Sequence, residues 1–306
     1  MIILNNVDKS FSGTEVLKDI NLEISDSSIY GLVGYNGAGK TTLLNLISGL
    51  YRPDTGEILA DVSDERINVT ANDRFKREMF CVFDDPYYLP QATPESMARY
   101  YSGFYPNFSI ELFFKLSTIF GFDKNKRINS FSKGMKRQAS FSFALASKAR
   151  YLLLDESFDG LDPGVRATVK ELLLEFMADT GATVIMASHN LHELEGVCDS
   201  VGLLNRQNIV FSCDIDDARA KYRRYRVGFA ENVSEDKFKN FDLGNLKCEG
   251  KLIGFISGKE PEAVRERLSL VGDIILFEDH PMTLEEIFRY ETTKGGEEIE
   301  ISGLFS

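Results

Sequence analysis

The chain has 306 residues, of which 43% are hydrophobic, enough for a buried core in one large domain or in a domain with an appendage. Its 47 acidic residues outnumber 35 lysines and arginines, and the net charge of −12 argues against a general nucleic-acid binder. No apolar run approaches the roughly 18 residues that a membrane-spanning helix needs, and the N-terminus lacks the pattern of a secretory signal. We therefore expect a soluble protein from a reducing compartment, with four widely spaced free thiols at Cys81, Cys198, Cys213 and Cys248.

The first half of the chain alternates between strand-like and helical patterns. From residue 1 to about 24, short apolar stretches separated by polar turns predict antiparallel β-structure. Residues 29–34 have the composition of a short buried strand, and a glycine-rich turn and a helix follow. The aromatic-rich stretch from about 92 to 122 is mostly helical in its period.

Two further buried strands are predicted at 151–154 and 182–189, each preceded by a helical segment. The small residues of 139–149 favour one of these helices, and the apolar spacing from Val165 to Phe176 predicts the other. Buried strands that alternate with helices indicate an α/β domain with a largely parallel sheet.

Past residue 214 the pattern changes to β-α-β-β-α-β, the order of a ferredoxin-like motif. The predicted elements are a strand around Val227, a helix over 233–241, a hairpin around Gly250, a helix over 261–271 and a final strand. We therefore predict a core domain over 1–213, with a helical subdomain at about 86–150, and an accessory α+β domain over 214–306.

The predicted C-terminal end of the chain has two parts. Thr283 and Glu286 have the spacing of a capping box ahead of a last helix. Residues 295–306 are expected to form a mobile tail. We find no internal repeat.

A glycine-rich segment, GYNGAGKTT at 34–42, matches G-x-x-x-x-G-K-[ST] between a predicted strand and a predicted helix. Its glycines allow backbone N–H groups to converge on phosphate oxygens, and the helix N-terminus adds partial positive charge. Lys40 is then placed to reach the β- and γ-phosphates, and the Thr41 hydroxyl to bind Mg²⁺. The predicted phosphate-binding residues are Gly34, Asn36, Gly37, Ala38, Gly39, Lys40, Thr41 and Thr42.

Acidic and histidine side chains follow the other predicted buried strands. Asp155 is placed to hold the Mg²⁺ shell, and Glu156 to orient or deprotonate a water. His189 ends a strand that should lie beside the glycine-rich turn, which favours a γ-phosphate contact. His189 and His192 lack a third ligand with metal-site spacing. Asp162, before Pro163, is predicted to cap a helix, which leaves a second role open.

Taken in order, GYNGAGKTT, FSKGMKRQ, YLLLDES, FDGLDP and ASH resemble the motifs of the nucleotide-binding subunit of an ATP-binding cassette (ABC) transporter. The resemblance covers about residues 1–211. It implies a P-loop NTPase core of the ABC ATPase type, with an antiparallel β subdomain and a helical subdomain. The most similar subclass is the exporter type that pairs with a separate permease and often carries a short C-terminal extension.

The resemblance also assigns residues by position. It implies that Asp155 is the Walker B aspartate, Glu156 the catalytic base and His189 the switch histidine. Ser132 and Gly134 fall on the signature loop that contacts the ATP of a second subunit, and 160–162, ending at Asp162, is the D-loop. Phe11 falls near the aromatic that stacks on adenine, although it is equally explained as an ordinary strand or turn aromatic.

Three positions depart from the family pattern. Lys133 replaces the first signature glycine, and Asp84 stands at the Q-loop glutamine, where it would add negative charge beside the Mg²⁺ that it is expected to help bind. Ser157 follows Glu156 where proline is common. Linkage between hydrolysis and the permease is therefore expected to differ from the family norm.

The implied function is an ATPase that uses ATP and Mg²⁺ to power export of an unidentified substrate through a separate membrane permease. The partners expected are that permease and a second nucleotide-binding subunit, in a homodimer or a heterodimer, with no nucleic acid. The implied location is cytoplasmic, peripheral on the inner face of the cell membrane. Tyr87, Tyr88 and Tyr101 either line a permease-docking groove or belong to the core.

Two other functions are open at this level. A non-transport ABC ATPase acting on the ribosome or DNA is disfavoured by the single cassette, the lack of heptads and the net charge of −12. A regulatory module without turnover is favoured by Asp84 and Lys133 and opposed by Glu156 and His189. For 214–306 we expect a stabilising or dimer-supporting addition.

Overall fold

Residues 1–63, 65–241 and 243–294 are described by the computed structural model. The chain divides into two units, Met1–Val210 and Phe211–Ser306. The predicted mobile tail, 295–306, lies outside the described residues.

Residues 1–24 form antiparallel strands, as predicted, in a four-stranded sheet that also contains residues 55–68. Its strands are β1 (Ile2–Phe11), β2 (Thr14–Ile24), β4 (Thr55–Val62) and β5 (Glu65–Asn68), and they lie in the order β2-β1-β4-β5. Ile2, Leu4 and Val7 of β1 are buried in the core, and the pairing of β1 with β2 is irregular between Leu4 and Val7.

A six-stranded sheet forms the centre of the first unit. Its strands are β3 (Ile29–Val33), β6 (Met79–Val82), β7 (Tyr151–Asp155), β8 (Thr183–Ser188), β9 (Ser200–Asn205) and β10 (Asn208–Asp214). They lie in the order β10-β9-β3-β8-β7-β6, and the five strands from β9 to β6 run parallel. Every residue of β3, β7 and β8 is buried, as expected for a parallel sheet covered on both faces. The carboxyl ends of these three strands therefore meet at one edge.

Four helices of the first unit connect strands of this sheet and of its neighbour. They are α1 (Lys40–Ile47), α2 (Asp73–Arg77), α6 (Pro163–Thr180) and α7 (Leu191–Leu194). Leu43 and Leu46 of α1 are fully buried in the core that also contains the inward residues of β1. The predicted cap of α6 is confirmed, because Asp162 Oδ1 accepts a hydrogen bond from the Val165 N–H at 3.0 Å.

Three helices, α3 (Pro94–Ser102), α4 (Ile110–Ile119) and α5 (Lys133–Ser147), form the aromatic-rich part of the first unit. The rings of Phe113 and Phe143 stack with their centroids 5.3 Å apart, and Tyr101 packs against Phe143 at 5.1 Å. Helix α5 begins several residues before its small-residue stretch. Its start is set by Ser132, whose Oγ accepts a hydrogen bond from the Met135 N–H at 3.2 Å.

The second unit contains the predicted ferredoxin-like order with one exception. Its elements are α8 (Ile215–Lys221), β11 (Arg223–Phe229), β12 (Gly244–Glu249), β13 (Leu252–Ser257), α9 (Pro261–Ser269), β14 (Ile274–Pro281) and α10 (Leu284–Lys294). The strands form an antiparallel sheet in the order β12-β13-β11-β14. The helix predicted over 233–241 is wrong, since only a 3₁₀ turn, Glu235–Phe238, forms there. Val233 and Phe238, both buried in the core of this unit, are five positions apart, a spacing that does not place two side chains on one face of a helix.

Two smaller predictions concern the last helix and the cysteines. The capping box ahead of α10 is confirmed, with Thr283 Oγ1 accepting from the Glu286 N–H at 3.2 Å and Glu286 Oε2 accepting from the Thr283 N–H at 2.9 Å. No disulfide joins the four cysteines, all of which lie among the described residues. Within that same part of the chain, no helix combines the length and apolar character that crossing a membrane requires.

Replacing Phe143 by alanine should destabilise the first unit by about 3–5 kcal/mol, because the ring is 1% exposed and its loss leaves a cavity beside Phe113. Ile119→Ala is the matched control, since Ile119 is 55% exposed and its truncation should cost less than about 1 kcal/mol. Urea unfolding of both variants measures the difference. Equal destabilisation by the two changes would contradict the packing described here.

Candidate active site

The glycine-rich segment joins β3 to α1 and leaves the start of this helix open. Gly37 and Gly39 have φ values of 84° and 107°, in the left-handed region that glycine adopts readily. Gly39 is the N-cap of α1 and has no side chain to cap its first N–H groups. A Cβ at Gly34 would lie 2.6 Å from the Leu204 carbonyl oxygen, so a larger residue does not fit. The geometry suits an anion at the N-terminus of α1.

Lys40 is the cation of this segment, and its side chain is only 5% exposed. Its Nζ donates to the carbonyl oxygens of Gly34 at 2.6 Å and Tyr35 at 3.2 Å, and it lies 3.0 Å from Glu156 Oε1. These three acceptors use all the ammonium protons. A phosphate that binds here must therefore take the place of one of these acceptors on Lys40.

Thr41 and Asp155 form a second pair at the same edge of the sheet. The Thr41 hydroxyl donates to Asp155 Oδ2 at 2.7 Å. Burial raises the pKa of Asp155, and the hydrogen bond from Thr41 opposes that rise. Asp155 Oδ1 is buried and has no hydrogen-bond partner among the described residues. A hydroxyl and a carboxylate with one unsatisfied oxygen are ligands that suit Mg²⁺.

Glu156 connects Lys40 to His189. Its Oε2 lies 2.7 Å from His189 Nδ1, so one carboxylate is shared between the ammonium and the imidazole. The Glu156 backbone has a φ of 46°, an uncommon value for a side chain of this size, and its N–H donates to the Ala187 carbonyl at 3.0 Å. A carboxylate held in this way can orient and deprotonate a water.

Sequence reasoning missed Asp159 at this site. One ligand atom each from Glu156, Asp159 and His189 lie within 4.8 Å of one another, a grouping that can hold a cation. Its only sequence signal is its position in the loop after β7. His192 is not part of this group and instead lies 3.3 Å from Glu195.

Four other predicted site residues lie elsewhere in the subunit. Ser132 and Asp162 cap α5 and α6, Gly134 lies in the first turn of α5, and the Phe11 ring packs on Tyr51 with centroids 5.3 Å apart. Within the described residues, no hydrogen bond or ion pair joins these four to Lys40 or Glu156. They are therefore not brought together with the P-loop in a single chain.

Among the described residues, Asp84 forms no hydrogen bond or ion pair with Thr41 or Asp155, although its charge contributes to the raised pKa of Asp155. Asp84 Oδ1 forms ion pairs with Arg137 and with Lys133, the latter at 3.3 Å. Its role as a Mg²⁺ ligand, expected from its position in the motif, stays a prediction. Arg137 was missed by sequence reasoning, and its signal was a lone arginine at the start of an apolar helix.

Comparison with known proteins identifies the family. A family model described as ABC transporter matches residues 17–159. The methionine import ATP-binding protein MetN 1 of Listeria innocua is 30% identical over 295 residues, which cover 90% of this chain and 85% of that protein. The chain belongs to the ABC transporter family. It is an ATP-binding, ATP-hydrolysing subunit, so the prediction of an ATPase is confirmed.

Other relatives extend over nearly the whole chain or share its fold. The ABC transporter ATP-binding protein YtrB of Bacillus subtilis is 26% identical, with 94% of this chain and 97% of that protein covered. A solved structure of the ATP binding subunit of an ABC transporter has a TM-score of 0.64 at 24% identity, covering 72% of this chain and 92% of the other. A bacterial ABC transporter cassette in dimeric form has a TM-score of 0.63 at 22% identity, covering 70% and 99%. These likenesses confirm the P-loop ABC ATPase fold.

Asp155→Asn should raise the melting temperature of the Mg²⁺-free protein at neutral pH and lower its Mg²⁺-dependent ATPase on the order of 100-fold or more. The pKa of this acid is raised in the folded state, so the native protein loses stability as pH rises through that pKa. The neutral amide avoids this loss. The stability difference should vanish at acidic pH, where both side chains are uncharged. Thermal unfolding of both proteins in EDTA, at neutral and at acidic pH, tests this prediction. An unchanged or lower melting temperature of the Asn variant at neutral pH would contradict it.

Proposed function

We propose that this ATPase powers transport through a separate permease by closing with a second nucleotide-binding subunit around two ATP molecules. The observation that carries the proposal is the arrangement at the edge of the parallel sheet. There Lys40, Glu156 and His189 form one connected line, and the Thr41–Asp155 pair lies beside it.

The residues proposed to hold the nucleotide follow from this arrangement. The backbone N–H groups of the P-loop and Lys40 bind the phosphates, in a cradle made of Gly34, Asn36, Gly37, Ala38, Gly39, Lys40, Thr41 and Thr42. Thr41 and the unsatisfied oxygen of Asp155 hold Mg²⁺. When bound, the metal neutralises charge that develops on the transferred phosphate.

Glu156 is the proposed general base. When phosphate oxygens replace Glu156 as the acceptor of Lys40, one carboxylate oxygen of Glu156 is released. That oxygen then accepts a proton from the attacking water. His189 keeps hold of the other oxygen and so fixes the direction of the carboxylate. Closing the site positions Mg²⁺, water and charge, which is the larger part of phosphoryl-transfer catalysis.

The remaining site residues are proposed to act across the dimer. The N-terminus of α5, with Ser132 and Gly134, faces the γ-phosphate held by the other subunit. Asp162 belongs to the loop that crosses the same interface, and Phe11 stacks on adenine, for which its 40% exposed ring is available. Their separation from Lys40 within one chain supports this assignment.

A groove of about 670 Å³ in the first unit is the proposed docking site for the permease. It is lined by Tyr87, Tyr88 and Tyr101 together with apolar residues that include Leu50 and Phe83. Tyr87 is 80% exposed and Leu50 64%, so large apolar side chains are available to a partner. Docking there places the subunit at the inner face of the cell membrane.

For the direction of transport we propose export, which rests on the resemblance to the exporter-type subclass. We propose residues 1–213, with the helical subdomain at about 86–150, as the ATPase domain and 214–306 as an accessory domain. Import of methionine is the second candidate, favoured by the name of the MetN 1 relative. The C-terminal region does not separate the two, because both YtrB and MetN 1 align over at least 90% of this chain.

Deletion of the gene that encodes this chain tests the second candidate, import of methionine. If the subunit imports methionine, deletion cells take up less labelled methionine and regain uptake with the intact gene. Unchanged uptake removes the second candidate.

Glu156→Gln should keep ATP binding, lower ATP hydrolysis by about 100-fold or more and leave a persistent ATP-bound dimer, because the amide cannot accept the proton. Lys40→Ala should instead weaken ATP binding by about tenfold or more, through loss of the phosphate contact. Lys115→Ala, on the exposed face of α4, is the matched control. Nucleotide titration, phosphate release and sedimentation measure the three properties. Turnover near the wild-type rate in the Gln variant would remove Glu156 from the base role.

Tyr87→Asp should reduce capture of the permease in pull-downs with tagged full-length subunit by about tenfold, because it places a charge in the apolar groove. ATP binding should be unaffected. Leu174→Asp, at a 46% exposed position on α6 outside the groove lining, is the control. Equal capture of the permease by the Tyr87 variant and by the control would show that this groove is not the docking site.

A further inference from the structure

Two positions at which this chain departs from the family pattern contact each other. Asp84 takes the place of the Q-loop glutamine and Lys133 that of the first signature glycine, and their charged groups lie 3.3 Å apart. The same oxygen of Asp84 also contacts Arg137, one turn further along α5. An acid in one motif is therefore held by two cations of another.

The two ion pairs differ in strength. Lys133 is 66% exposed, and an exposed pair of this kind contributes little. Arg137 is 1% exposed and carries a charge that it cannot lose. Its Nε and Nη1 have no hydrogen-bond partner among the described residues, which leaves Asp84 as the acid that balances the buried guanidinium. Asp84 acts mainly through Arg137.

Arg137 lies where three functional loops meet. Its Nη1 would be 3.2 Å from a Cβ at Gly160, in the loop that leads to Asp162. A Cβ at Gly134, in the first turn of α5, would be 3.3 Å from the Gly160 carbonyl oxygen. The guanidinium therefore lies beside the loop of Gly160, and this loop in turn lies against the first turn of α5.

The segment after Asp84 is tied to α5 a second time. The Tyr88 hydroxyl lies 2.5 Å from Ser140 Oγ and donates to the Lys136 carbonyl at 3.3 Å. Arg137 and Ser140 are three residues apart, so both attachments lie on one face of α5. The same segment lines the docking groove through Tyr87 and Tyr88.

We infer that Asp84 is a positioning residue, which through Arg137 holds the N-terminal end of α5 in place to present Ser132 and Gly134 to the ATP of the second subunit. This inference rests on the proposed function. It also explains why a cation at 133 accompanies an acid at 84, because Lys133 adds a second, weaker contact to the same oxygen. In this role Asp84 does not need to bind Mg²⁺.

The test uses the full chain with Glu156→Gln, whose ATP-dependent dimer is followed by sedimentation. Adding Asp84→Asn should lower the dimer association constant by about tenfold or more. The concentrations of ATP and of Mg²⁺ that half-saturate the monomer should change less than about twofold. Asp84→Glu should recover dimerisation to within about threefold, since the longer acid still reaches Arg137. Lys133→Ala should change it less than about threefold.

A double-mutant cycle shows whether Asp84 acts through Arg137. In a chain with Arg137→Met, which removes the buried charge, Asp84→Asn should change dimerisation less than about twofold. The comparison in the Arg137→Met background remains informative even if Asp84→Asn alone lowers the folded fraction. Thermal unfolding measures that fraction. An undiminished effect of Asp84→Asn in the Met background would overturn the inference.

Two other results would also overturn it. One is normal dimerisation of the folded Asp84→Asn protein. The other is a defect that disappears at tenfold higher Mg²⁺, which would return Asp84 to the role of metal ligand. Failure of the Glu156→Gln parent itself to dimerise with ATP would instead count against the proposed function, which keeps the two outcomes distinct.

Discussion

The buried ammonium of Lys40 needs negative charge beside it, and much of the site follows from that need. That charge comes from Glu156, 3.0 Å away, which itself is held by His189. An isolated buried cation would be strongly destabilising, so the carboxylate is useful to the fold as well as to the reaction. A phosphate can replace it because phosphate oxygens supply the same charge and more acceptors. In the function proposed above, the ion pair links nucleotide binding to release of Glu156.

The site keeps features that cost folding free energy. Asp155 is buried, which raises its pKa, and one of its oxygens has no hydrogen-bond partner among the described residues. Glu156 has a backbone conformation that a large side chain rarely adopts. Such costs persist where the surrounding structure fixes the residue from several sides. Here the strands β7 and β8, buried on both faces, provide the fixed support. The arrangement is consistent with a site built for charged ligands.

Much of the fold was predictable because its signals are local. The strands at β3, β7 and β8 are short runs of buried apolar residues, and Asp162 and Thr283 cap helices through neighbours within three residues. The wrong helix over 233–241 shows the limit of such reasoning. A segment with polar and charged residues at helical spacing forms only a 3₁₀ turn there, and Phe238 is buried in the core of the second unit.

The P-loop, the acidic pair after β7 and the histidine after β8 could be located from the amino-acid sequence, since each lies within a few consecutive residues. The tertiary structure alone decided which of these groups meet. Thr41 bonds to Asp155 across 114 positions of the chain, and Asp84 bonds to Arg137 across 53. The parallel pairing of β3, β8 and β7 brings the first pair together, and packing of α5 brings the second. A motif reports backbone conformation over a few residues, whereas the charge that a buried side chain meets depends on distant segments.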